Sequence, residues 1–127
     1  MFFETDYDST VGPLMPVTLR NEHSYEEITV NGLVDTGATA SAISTKVVDV
    51  LDLSEFTQSP LATAIGTQLR GVYFLTAQLP YDNHHHPFGA FGSSADIGLD
   101  LLIGRNILRH GTLRITQDSF SFTIHNT

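Results

Sequence analysis

Alternation with a period of two runs through this chain and limits what it can fold into. Met15, Val17 and Leu19 alternate with Pro16, Thr18 and Arg20, and Ile28 and Val30 with Thr29 and Asn31. Near the end, Phe120, Phe122 and Ile124 alternate with Ser119, Ser121 and Thr123. Successive side chains of a strand point to opposite faces, so each segment reads as a strand with one buried face. Residues 60–79 read as a hairpin with Ile65, Gly66 and Thr67 at its tip and its most strand-like arm starting at Val72. The stretch from Tyr81 to Gly92 reads as loop followed by strand, and Asn31-Gly32 as a turn or bulge signal. Helical signal is confined to two short stretches. Ser44 or Thr45 can cap one that buries Val47, Val50 and Leu51. The other spans about Arg105 to Arg109, with Ile107 and Leu108 inward and Gly111 as its terminator. The expectation is a mainly β domain with one or two short helices.

Length and charge narrow the function classes. At 127 residues the chain has room for one core, and 41% hydrophobic against 16% charged residues argues against wholesale disorder. The absence of Cys excludes a disulfide scaffold, a thiolate nucleophile and a sulfur-based zinc site. Fourteen acidic against six basic residues give a formal charge of −8, which makes DNA or RNA a poor partner. No apolar run approaches the ~20 residues of a spanning helix, and the start lacks the basic region of a signal peptide. Cytoplasmic residence without a membrane partner is therefore expected. Residues 1–12, with Glu4, Asp6 and Asp8, read as an acidic N-terminal arm, mobile or docked on a partner, ahead of a domain over 13–127.

The chemistry-bearing segment is Leu33-Val34-Asp35-Thr36-Gly37-Ala38-Thr39. Here an apolar strand delivers a carboxylate into a turn of small residues. Leu33 and Val34 draw Asp35 inward, where it must be hydrogen-bonded or have a perturbed pKa. Gly37 permits close backbone approach, and the Thr36 and Thr39 hydroxyls can anchor a network around the carboxylate. A solvated Asx turn ending a strand would use the same tripeptide. Some seventy residues on, Asp100-Leu-Leu-Ile-Gly-Arg-Asn-Ile-Leu is an apolar run that ends in Gly104 and passes into a short helix.

Together these segments resemble the retropepsin-like aspartic proteases, in their single-lobe homodimeric branch and closer to its cellular and bacterial members. Residues 33–39 look like the family's Asp-Thr-Gly loop and residues 101–108 like its hydrophobic-hydrophobic-Gly-Arg-Asn segment. The 60–79 hairpin sits where the family places its flap, so the likeness covers about residues 13–125. The resemblance implies a closed, β-barrel-like acid protease fold and an aspartic endopeptidase that cleaves extended, largely apolar peptide segments. Asp35 becomes the catalytic residue, with Thr36 and Gly37 as its support. Ala38, Ile65, Gly66 and Thr67 become substrate-binding, and Gly104, Arg105 and Asn106 structural residues near the site. No metal or cofactor is implied. Asp-Thr-Gly occurs once, whereas the chemistry needs two carboxylates, so a homodimer is implied, with Asp35 of each subunit beside a two-fold axis.

The chain departs from the viral pattern at Thr39, where many members carry an Asp that pairs with the arginine of the second segment. Arg105 then takes another partner, Asp100 or an acidic group of the other subunit. The hairpin tip has one glycine, which makes for a stiffer flap. Phe120, Phe122 and Ile124 could pair across the dimer or form an intrachain edge strand. Of the histidines, His84, His85 and His86 read as incidental surface residues between Asn83 and Pro87, since three consecutive side chains cannot converge on one ion from an extended strand. His23, His110 and His125 have no Ser or Cys placed to form a triad. The alternative to the peptidase is a catalytically silent dimerisation or peptide-binding module of the same fold.

Overall fold

A computed structural model describes residues 2–63, 66–92 and 98–125. In chain order the elements are β1 (Phe2–Asp6), β2 (Leu14–Arg20), β3 (Glu27–Val34), β4 (Ser41–Ile43), α1 (Thr45–Val50), β5 (Thr57–Thr63) and β6 (Gly66–Gln78), followed by β7 (His86–Gly92), β8 (Leu101–Ile103), α2 (Arg105–Leu108), β9 (Gly111–Ile115) and β10 (Ser119–Ile124). Seven strands form one sheet in the order β2-β3-β8-β4-β7-β6-β5. The far end of β6 also pairs with β2, Thr18 with Gln78 through Arg20 with Thr76, which closes the first six strands into a barrel. β5 pairs only with the early half of β6, Thr57 with Val72 through Thr63 with Gly66, so the two project from the barrel as a hairpin.

The alternating segments fill this barrel. On β2, Met15, Val17 and Leu19 are at most 1% exposed while their neighbours are half-buried. They meet Val30 and Val34 of β3, Leu75 and Ala77 of β6, Phe88 and Ala90 of β7, and Leu101 and Ile103 of β8. Asn31-Gly32 makes no turn: β3 runs unbroken through both residues, with Gly32 opposite Met15 on one side and Leu101 on the other. Its glycine is needed for close approach, because a Cβ there would lie 2.6 Å from Ile103 Cδ1.

A second sheet, β1-β10-β9, closes one end of the core. Phe120 and Phe122 of β10 are buried to within 1% and belong to the same core cluster. β10 is therefore the central strand of an intrachain sheet and not an edge. The acidic N-terminal segment docks on its own chain as β1, Phe2 opposite Thr123 through Asp6 opposite Ser119. Phe3 and Tyr7 pack against the Phe120 ring at 5.8 and 6.2 Å, and the Tyr7 hydroxyl donates to the Thr116 carbonyl at 2.6 Å. Glu4 and Asp6, on alternate positions, face solvent.

Both helices lie close to their expected places. Ser44 caps α1, its Oγ accepting from Val47 N–H at 3.3 Å. Val47 and Leu51, one turn apart, are buried, but Val50 is 45% exposed, because six residues offer the core only an i, i+4 stripe. α2 ends through Arg109, a right-handed C-cap, and Gly111 begins β9 instead of terminating the helix.

Candidate active site

Val34 and Ile103 are register partners on the parallel pair β3 and β8. Both strands thus leave the sheet at the same end, and Asp35 and Gly104 open adjacent turns. Asp35 N–H donates to Ile103 C=O at 2.9 Å, and Arg105 N–H donates to Ala38 C=O at 2.8 Å, so each turn is strapped to the other. A Cβ on Gly104 would lie 2.5 Å from the Ala40 carbonyl carbon and oxygen. The two backbones approach this closely only because residue 104 has no side chain.

Asp35 is half-buried at the mouth of this junction. Its Oδ1 accepts from Gly37 N–H at 3.0 Å, which ties the carboxylate to its own turn. The threonines are used differently from the sequence expectation. Arg105 Nη2 donates to Thr39 Oγ1 at 2.9 Å and Nη1 reaches the Thr36 carbonyl at 3.4 Å, so both serve the arginine and not the carboxylate. Asp100 is not the partner of Arg105. It accepts from Ser44 Oγ at 3.0 Å and lies 3.8 Å from Lys46 Nζ, at the head of α1.

Below the turns sits a polar knot around the buried Ser41. Asn106 Oδ1 accepts from both Ser41 N–H at 3.1 Å and Ser41 Oγ at 2.7 Å, and Asn106 Nδ2 donates to Gly89 C=O at 2.8 Å. Ser41 Oγ accepts in turn from Gly104 N–H at 2.9 Å. One serine and one asparagine thereby tie β4, β7 and the start of α2 together directly behind the Asp35 turn. Sequence reasoning named Asn106 and missed Ser41; its signal was a polar residue in phase with the buried Ile43.

Beside the turn lies a cleft of about 580 Å³. Its floor is Ala38, Ala40 and Ala42, its wall Phe91 and Leu102, and its roof Pro60, Leu61 and Ala62 of the projecting hairpin. Among the described residues no charged side chain lines it. Ala38 is where the sequence put it. The roof, however, comes from β5, while the exposed Gly66 and Thr67 are not among its lining and Ile65 lies outside the described residues.

The consecutive histidines are not incidental. Asp82, whose side chain is 3% exposed, accepts from His86 at 2.8 Å and from His84 at 3.1 Å, and His85 lies 3.2 Å from Arg20. Burial raises the Asp82 carboxyl, but the His86 and His84 hydrogen bonds outweigh it and hold the group below its ordinary value. Among the described residues no group of three His, Asp or Glu is arranged to hold a metal ion.

A six-strand barrel with a projecting hairpin over paired Asp-Thr-Gly and Gly-Arg-Asn turns is the retropepsin-like aspartic protease fold. The chain superposes on a retropepsin-like aspartic protease from Rickettsia conorii with a TM-score of 0.71 at 14% identity, over 96% of this chain and 90% of that one. It matches EIAV protease, solved with an inhibitor, at a TM-score of 0.60 and 18% identity over 83% and 92% of the two chains. For the protease of simian foamy virus (mac) the values are 0.55 and 14%, over 76% and 92%. No protein-family model and no curated protein sequence matches the chain.

Proposed function

We propose that the protein is an aspartic endopeptidase that works as a homodimer, with Asp35 of each protomer forming the catalytic pair. The observation that carries this reading is the strapping of the Asp35-Thr36-Gly37 turn to Gly104-Arg105-Asn106 beneath a hairpin, beside a cleft lined by Ala38, Ala42, Leu61 and Phe91. One chain offers one such carboxylate, and a two-fold axis beside it supplies the second. Two carboxylates that close share a proton, because both cannot ionise cheaply. The ionised Asp35 then takes a proton from a bound water, while the protonated one polarises the scissile carbonyl and later protonates the leaving amine. The chemistry needs no metal and no covalent intermediate. Gly37 holds the carboxylate in orientation, and Thr36 stands at the axis. The hairpin, with Ile65, Gly66 and Thr67 toward its tip, closes over an extended peptide whose apolar side chain enters the cleft lined by Ala38. Residues 13–127 are the peptidase unit in this reading and residues 1–12 its arm, of which Phe2–Asp6 lie along β10.

Cleavage of a diverse peptide library between pH 3.5 and 7.5 tests the proposal. The wild type is expected to cut beside apolar residues, with a rate that rises as the square of protein concentration when dilute. Asp35→Asn is expected to lose turnover by at least about 10³-fold while still assembling. Equal silence from both proteins, with an intact dimer that binds the peptides, would replace the peptidase with a silent peptide-binding module.

A further inference from the structure

His86, first residue of β7, and His110, in the link from α2 to β9, lie face to face with ring centroids 4.6 Å apart and planes 29° apart. They join the barrel to the terminal β1-β10-β9 sheet, since His125 N–H, just beyond β10, donates to the His110 carbonyl at 2.9 Å. The two rings are not equivalent. His86 Nε2 is bonded to the buried Asp82, whereas His110 Nε2 is buried with no hydrogen-bond partner among the described residues.

We propose that the His86–His110 stack is an acid-sensitive clasp, which secures the junction between the terminal sheet and the barrel while at least one ring is neutral and loosens it when both are protonated. The charged and titratable groups facing the pair leave little to offset a second proton. From the β6–β7 loop come Asp82 and His84; Asp82 is already shared between His84 and His86. From the end of α2 comes Arg109, itself a cation. From beyond β10 comes His125, whose ring is directed to Thr112 Oγ1 at 2.6 Å and not to the stack. Neutral imidazoles stack favourably, but two imidazolium rings face to face in a half-buried site repel at close range. Burial first, then His86 and Arg109, push the His110 proton affinity down, with Asp82 opposing. The clasp thus stays closed at neutral pH and opens on acidification below the ordinary histidine value of 6.5.

Two measurements on the full chain test this. The first is an NMR titration of the His110 ring, and the second is native-state amide exchange of His125 and the β9–β10 ladder between pH 7.5 and 5. The expected His110 midpoint lies below 6.5. Once corrected for intrinsic exchange, the wild-type opening constant should rise by up to about tenfold for each unit of acidification, as one-proton linkage requires. His110→Phe, which keeps an aromatic face that cannot titrate, should flatten this slope, and His23→Phe on the exposed surface should not. A midpoint at or above 6.5, or an unchanged slope in His110→Phe, would overturn the clasp. If His110→Phe does not fold, the wild-type titration and its opening slope decide the matter by the same criteria.

Discussion

The Ser41 hydroxyl serves two partners, donating to Asn106 Oδ1 and accepting from the buried Gly104 N–H. Ser41 itself is 0% exposed, so Ser41→Ala leaves a backbone N–H without its acceptor and removes one of two donors from an amide oxygen. An unmet buried group costs about 1–3 kcal/mol, and the urea midpoint should fall accordingly with the slope of the transition unchanged. Gly104→Ala acts differently, because its new methyl would overlap the Ala40 backbone, which cannot swing aside as a side-chain end can. Overpacking of this kind costs about 1–3 kcal/mol. It should also spread the strapped turns, so the expected result is a loss of turnover larger than the loss of stability explains. A variant whose activity falls only in proportion to its folded fraction would show that the close approach serves stability alone.

At the scale of elements, β1 makes a separable test. It covers one edge of β10 and packs Phe3 against Phe120. Removing residues 1–7 strips the ladder from that edge, deletes the Tyr7 contacts and uncovers an apolar face. The shortened chain should still unfold cooperatively, with its midpoint lowered by roughly 5 °C or more, and should aggregate more readily on heating. Loss of cooperative folding would mean that residues 13–127 are not a unit. The sequence announced the strand nature of β2, β3 and β10 because alternation is local and their buried faces are continuous. It marked the two turns of the candidate site because the Asp-Thr-Gly and Gly-Arg-Asn segments are short and carry their own turn chemistry. What it left hidden depends on register between distant segments. Gly32 looked like a turn until Ile103 was placed over it, and Ser41 looked like any small residue until Gly104 and Asn106 reached it. His86 looked solvated until Asp82, four residues before it, was folded against its ring.

At the scale of the whole molecule, acid acts on folding and on assembly with opposite sign. Asp82 and His110 both bind protons less readily in the folded chain than at their ordinary values of 3.8 and 6.5. For each, the unfolded chain takes up more protons as the pH falls, so stability present above the ordinary value is lost as pH passes through the folded one. The melting temperature should therefore decline in two stages, the first beginning near 6.5 and missing in His110→Phe, the second beginning near 3.8. Assembly runs the other way. Two copies of a chain carrying −8 repel each other, and protonation shrinks that charge. Between pH 7 and 5, while the barrel stays folded, the weight-average mass in dilute sedimentation runs should rise toward that of a dimer. Added salt at pH 7 should produce the same rise, because a screening length of about 8 Å at physiological ionic strength damps repulsion between exposed charges. Association that ignores salt but follows pH would point to a titrating group within the interface, and Asp35→Asn would test whether the proposed Asp35 pair is that group.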